Sequence, residues 1–265
     1  MKYTIKENRA ESVSCMCDEI IYGSRREWCD VTWKPLKMSL MRERHFFPYD
    51  PHRTSPVIVW ICGGAFTHVD TNVWAPELMY YAKHGFAVAS ISYDADARMR
   101  FPEPIDEIKE GIRFLRAHAE EFGIDTERIV IMGESAGAYL ANVVALTNGQ
   151  KEYEKGDYLE YSSDVCAAVS LYSCSREVHM EGDRIVMPDL TGFITKDAPP
   201  FLMYHGTKDE TVSCKESEDF YDALTANGIR ADLYLIEGAH HADAPLYQTE
   251  IKEQIAAFAH EMIGK

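Results

Sequence analysis

Short apolar runs recur along the chain at residues 57–61, 86–91, 129–132, 166–171, 201–204 and 233–236. Runs this continuous predict strands covered on both faces, as in a parallel sheet, rather than the alternation of a half-exposed one. Helical patterns fall between them. The clearest is Ile105, Ile108, Ile112, Leu115, Ala119 and Phe122, whose spacings of 3, 4, 3, 4 and 3 put one apolar stripe on a helix. Pro102 and Pro104 suit its entry and Gly123 its exit. Upstream, Leu36, Met38 and Leu40 alternate with Lys37 and Ser39, which predicts an antiparallel edge strand. Strands alternating with helices predict a three-layer α/β fold: a mostly parallel central sheet with helices on both faces, and a ligand site at the carboxyl ends of the strands. No repeat or linker interrupts the pattern, so residues 1–265 read as a single domain. Residues 1–30 are too mixed to predict an element. Residues 147–163 and 175–200 are the least regular and are expected to shape a substrate pocket.

Composition narrows the function. The 265 residues are 46% hydrophobic and 26% charged, enough for a large core without cross-links, and the run at 57–61 is far short of the ~20 residues a membrane span needs. With 27 Lys+Arg against 43 Asp+Glu, the net charge of −16 repels phosphate backbones, so nucleic acid is not an expected partner. The seven cysteines are odd in number, show no C-x-x-C, and have no histidine at zinc-like spacing after Cys15-Met16-Cys17. Reduced thiols in a cytoplasmic protein are expected, since residues 1–8 lack the apolar stretch of a secretory signal. No phosphate-binding or dinucleotide-binding glycine motif occurs, so neither cofactor nor metal is expected. The composition leaves a homo-oligomer open.

The chemistry begins where 129–132 runs into Gly133-Glu134-Ser135-Ala136-Gly137 and then into the apolar stretch 138–146. Strand, G-x-S-x-G, helix is the context of a nucleophile elbow, in which crowding demands small flanking residues. The backbone N–H of Ala136, next after the serine, is then an expected oxyanion donor.

Residues 57–66, 84–94 and 101–137 resemble α/β-hydrolase esterases of the hormone-sensitive-lipase and bacterial feruloyl-esterase-like groups, over roughly residues 30–260. The resemblance implies a three-layer α/β-hydrolase fold. Cys62-Gly63-Gly64-Ala65-Phe66 resembles the family's His-Gly-Gly-Gly, which assigns further oxyanion donors to Gly64 and Ala65. Cys62 stands where His is usual and Ala65 where a third Gly is usual; backbone donors survive both changes. Cys62 is a weaker candidate nucleophile.

A serine nucleophile needs a base, and in this fold the order along the chain is Ser, acid, His. Of the histidines after Ser135, only His240 and His241 open a loop after a late strand, while His260 sits on an apolar C-terminal pattern. Gly238-Ala239-His240-His241 resembles the family's Gly-Ala-x-His, which selects His241. His205-Gly206-Thr207-Lys208-Asp209-Glu210-Thr211-Val212 resembles His-Gly-x-x-Asp-x-x-Val, which selects Asp209 as the acid, with Glu210 the alternative and His205 a turn residue. Glu134 is expected to point away from the serine and act from behind it. Tyr93-Asp94 departs from the family's Tyr-Arg, which puts any role of that arginine in doubt. Phe66, Trp74, Tyr93 and Tyr139 either line a pocket or pack in the core.

The sequence therefore predicts a serine carboxylic-ester hydrolase working through an acyl-enzyme on a small ester. The resemblance implies acetyl or hydroxycinnamoyl groups on sugars. Two alternatives stay open: an arylformamidase-like or small-peptidase amide hydrolase, and a noncatalytic binding module on the same fold.

Overall fold

A computed structural model describes residues 1–6, 13–27, 31–44, 54–95, 99–180 and 185–264. The centre is an eight-stranded sheet. One edge is an antiparallel hairpin of β1 (Val13–Glu27) and β2 (Thr32–Arg44), and β2 pairs antiparallel with β4 (Ala87–Ile91). From β4 onward the order is β3 (Ser55–Ile61), β5 (Ile124–Glu134), β6 (Ala167–Leu171), β9 (Phe201–Gly206) and β10 (Ala231–Ile236), all parallel. A separate ribbon pairs β7 (Val178–Met180) with β8 (Ile185–Met187).

Every apolar run lies in a strand of this sheet, but β10 is an edge. Its Tyr234 and Leu235 are 43% and 40% exposed, so there an apolar run marks a strand with one side unpaired. β1 falls where the sequence predicts no element. Its register shifts between Cys17 and Ile20 and again between Ile21 and Gly23, which breaks the two-residue alternation that would have revealed it. Leu36, Met38 and Leu40 on β2 point into the core as the alternation requires.

One face of the sheet is covered by α2 (Glu103–Ala117), α4 (Ala136–Leu146) and α5 (Cys214–Ala226), the other by α1 (Ala75–Lys83) and α6 (Thr249–Ile263). The predicted stripe of Ile105, Ile108, Ile112 and Leu115 is buried on α2, and a short α3 (Ala119–Phe122) ends at Gly123 in a left-handed cap. The polar side of α2 is buried too. Arg25 of β1 reaches Glu107 at 2.8 Å and Glu110 at 2.9 Å. Asp94 donates its backbone N–H to Glu107 at 2.6 Å and pairs its carboxylate with Lys34, so the cation beside Glu107 comes from β1 and not from position 94. Burial nevertheless pushes the Glu107 carboxyl up to about 7.

Lys109 and Arg113 on α2 have no exposed side-chain surface. Lys109 donates to the Thr147 carbonyl at 2.7 Å and to Glu154 at 3.1 Å; Arg113 donates to the Asp157 carbonyl at 3.0 Å, to the Lys155 carbonyl and to Glu154. These bonds fix residues 147–163, which join the end of α4 to the start of β6. The connection leaves and rejoins the sheet at the amino ends of the parallel strands, but between them it runs along α2, where Lys155 reaches Asp106 at 3.0 Å and the Tyr153 ring meets Phe101 at 6.2 Å and Phe193 at 6.3 Å. Residues 175–200, by contrast, leave the carboxyl end of β6. The Tyr139 hydroxyl on the first turn of α4 donates to the Pro188 carbonyl at 2.5 Å, and Ser175 donates to Glu216 of α5 at 2.8 Å. Residues 181–184 lie outside the described part. Among the described residues no helix is long and apolar enough to cross a membrane.

Candidate active site

β5 ends at Glu134 and α4 starts at Ala136, leaving Ser135 alone to reverse the chain, at φ 52° and ψ −124°. Such a backbone costs of order 1–3 kcal/mol and persists only where its surroundings fix it. The Ser135 N–H donates to the Leu171 carbonyl of β6 at 2.9 Å, and the Ser135 carbonyl accepts from Tyr139 at 3.1 Å. The flanking glycines are explained by close approach: a Cβ on Gly137 would stand 2.2 Å from the Ile61 carbonyl oxygen, and one on Gly133 2.5 Å from that of Gly137. The end of β3 is thereby pressed against the elbow.

The Ser135 hydroxyl lies 3.0 Å from His241 Nε2, and His241 Nδ1 lies 2.7 Å from Asp209 Oδ2. A buried carboxylate accepts, so Nδ1 carries the ring hydrogen and the Nε2 lone pair faces the hydroxyl. An imidazole in that tautomer can take a proton from the serine. The Asp209 side chain has no exposed surface, and its Oδ1 accepts the N–H groups of Thr211 at 2.9 Å and Val212 at 2.8 Å. His241 is held from the side by Tyr172, whose ring meets it edge-on at 4.8 Å.

The other candidates lie elsewhere. His240 turns outward and pairs with Glu210 at 2.9 Å, and that bond holds the exposed Glu210 carboxyl below its ordinary range. His260 packs on Phe86, away from the serine. Of the four aromatics, Phe66, Tyr93 and Tyr139 are buried, Phe66 and Tyr139 meeting edge-on at 5.7 Å, while Trp74 stacks on Tyr247 at 4.4 Å.

After β3 the loop takes left-handed conformations at Gly64, Ala65 and Phe66, and the Gly64 carbonyl accepts from Thr67 at 3.0 Å and His68 at 3.1 Å. A side chain at position 64 would put Cβ 1.9 Å from the His68 carbonyl oxygen. Among the described residues, the N–H groups of Gly64, Ala65 and Ala136 donate to no protein acceptor. The Gly63 N–H is committed, at 2.5 Å, to the Glu134 carboxylate, which also accepts from the Trp74 indole at 3.2 Å and the Cys62 thiol at 3.7 Å. Burial, reinforced by the Glu134 charge, pushes that thiol up to about 12, so it stays protonated and is no nucleophile near neutrality. Two contacts escape sequence reasoning. Tyr172 carries no motif, and His205, read as a turn residue, places Nε2 3.1 Å from Asp209 Oδ2.

This chain is similar to known esterases along most of its length. It is 28% identical to the probable isoprenylcysteine alpha-carbonyl methylesterase ICMEL1 of Oryza sativa subsp. japonica over 260 residues, covering 87% of this chain and 58% of that one. The chain spans about half the length of the curated relatives it matches. Among solved structures, a truncated carbohydrate esterase from gut microbiota superposes with a TM-score of 0.79 at 20% identity, covering 98% of this chain and all of that one. The acetyl ester-xyloside bifunctional hydrolase of Caldicellulosiruptor lactoaceticus gives 0.77 at 20% identity, covering 93% and 96%. These likenesses show the α/β-hydrolase fold. Residues 186–265, which hold Asp209 and His241, match the prolyl oligopeptidase family. Residues 46–191, more than half of the chain and the part that contains the loop after β3 and the turn at Ser135, match the BD-FAE model, and the chain belongs to the BD-FAE family.

Proposed function

We propose that the chain is a serine carboxylic-ester hydrolase that removes small acyl groups, acetyl or hydroxycinnamoyl, from carbohydrates through an acyl-enzyme. One observation carries the reading: Ser135, His241 and Asp209 stand in hydrogen-bond sequence, at 3.0 and 2.7 Å, with the serine on a strained strand-to-helix turn.

In this reading Ser135 Oγ attacks the ester carbonyl as His241 Nε2 takes its proton, and Asp209 stabilises the imidazolium without accepting that proton. The N–H groups of Gly64, Ala65 and Ala136 receive the developing oxyanion, each such donor being worth about 10²–10³ in rate. The imidazolium protonates the leaving alcohol. Water, deprotonated by the same nitrogen, then releases the acid and frees Ser135. The names of the carbohydrate esterase and the acetyl ester-xyloside hydrolase favour a sugar as the alcohol.

Hydrolysis of p-nitrophenyl esters from acetate to octanoate, together with an acetylated xyloside and a ferulate ester, tests the reading. Turnover should fall with chain length, and Ser135→Ala should lower kcat by about 10⁶. Equal inertness of both proteins would sink it. The prolyl oligopeptidase match favours amide cleavage as the second reading, though that segment carries the acid and base and not the serine. Cleavage of p-nitroanilides faster than of esters would promote it. Failure of a serine-directed phosphonate to label Ser135 would leave the binding-module alternative.

A further inference from the structure

Asp209 is served by a second imidazole. His205, the last residue but one of β9, is fully buried, and its Nε2 approaches the same Asp209 oxygen that accepts from His241, at 3.1 Å. Its other partners define its tautomer. Nε2 also lies 2.9 Å from the Val212 carbonyl, which can only accept, so Nε2 carries the hydrogen and divides it between carbonyl and carboxylate. Nδ1 is then a bare acceptor for the Ser217 hydroxyl, 2.7 Å away on α5. Burial holds His205 below the ordinary imidazole range, so the ring is neutral while it donates.

We propose that His205 is a positioning residue: its neutral Nε2–H, acting through Asp209, sets how strongly His241 holds its proton. The inference rests on the ester-hydrolase reading and deepens it. A donor on Oδ2 disperses charge that would otherwise act wholly on the His241 ring. The Thr211 and Val212 N–H groups anchor Oδ1, so the carboxylate keeps Oδ2 between the two imidazoles. The groups facing His241 are His205 from the end of β9, Asp209 from the loop after it, Ser135 from the elbow, and Tyr172, whose hydroxyl burial pushes well above its ordinary range. In its own loop, His240 is turned to Glu210 and takes Asp243 on its backbone N–H.

The test is an NMR titration of the His241 ring, which needs no substrate, beside the pH profile of kcat/KM on p-nitrophenyl acetate. His205→Leu removes the donor and keeps the bulk; His205→Gln keeps an N–H at similar reach. Without the donor the Asp209 anion binds the imidazolium more strongly. The His241 midpoint and the acid limb of the profile should therefore both rise by about half to one pH unit. In the same variant kcat should fall about tenfold with little change in KM. Gln should restore both, and Ser217→Ala should shift the midpoint the same way by less. A His241 midpoint unchanged or lowered in folded His205→Leu, or Gln no better than Leu, overturns the proposal. If Leu does not fold, wild-type midpoints in both the Gln and the Ser217→Ala proteins are the expected result for Gln and the overturning one for Ser217→Ala. Wild-type protein that cleaves no ester would overturn the esterase reading alone, since the titration judges His205 without it.

Discussion

Replacing Glu134 by leucine separates loop building from fold stability. Glu134 is 6% exposed, and its carboxylate accepts from the Gly63 N–H at 2.5 Å and the Trp74 indole at 3.2 Å. Hydrogen bonds to a charged acceptor contribute about 1.5–3 kcal/mol each, so the two together contribute about 3–6 kcal/mol. Removing the carboxylate also removes the cost of burying an ion, several kcal/mol after relaxation, so the net loss of stability should be only about 1–3 kcal/mol. Activity should suffer more. With Gly63 released, Gly64 and Ala65 lose the anchor that sets their direction, and losing one oxyanion donor lowers kcat by about 10²–10³. Urea melts and kcat on p-nitrophenyl acetate read the two effects separately, and Glu134→Gln, which keeps an acceptor for Gly63, should stay within about tenfold of wild type. A leucine variant with kcat within about threefold of wild type would refute the argument, because the oxyanion loop would then hold its shape without the carboxylate.

Other substitutions probe neighbouring features. His241→Ala should lose nearly as much kcat as Ser135→Ala, whereas His240→Ala should keep most of it; the reverse order in a steady-state assay would transfer the role of base to His240. Gly137→Ala places a Cβ 2.2 Å from the Ile61 carbonyl oxygen, so soluble yield or kcat should collapse, and a fully active variant would contradict the packing at the elbow. Glu107 titrates at about 7 in the fold against 4.5 ordinarily. Its folded form thus keeps a proton that the unfolded chain has lost, and stability falls as pH rises between those values, by about 3 kcal/mol. Glu107→Gln should flatten that slope in denaturant melts at pH 5 and pH 7.5, and an unchanged slope would remove Glu107 as its source.

The strands of the parallel sheet were legible because burial on both faces leaves unbroken apolar runs, and the elbow because its glycines answer a steric demand. β1 was hidden by two register shifts that scramble its alternation. Residues 147–163 read as irregular because what orders them is Lys109 and Arg113 of α2, which lie more than thirty residues away in the chain. The candidate site divides in the same way. Ser135, Asp209 and His241 occupy motif positions, and the outward turn of His240 to Glu210 is a matter of backbone direction that the dipeptide does not encode. The His205 contact depends on a turn that brings position 205 back onto position 209, a closure visible only in three dimensions. Glu134 was expected behind the serine, but its partner Gly63 is 71 residues distant in the chain.

The buried cations of α2 also bear on how the chain would meet a protease. Trypsin cuts after lysine and needs the peptide drawn out into an extended conformation, and residues 147–163 offer it Lys151 and Lys155 without a strand or long helix to protect them. Yet the carbonyl of Lys155, the bond to be cut, is held by Arg113, and the carbonyls of Thr147 and Asp157 on either side are held by Lys109 and Arg113. Extraction would strip two cations with no exposed surface of their partners. Cleavage after Lys155 is thus expected to report the opening of α2 rather than local fraying.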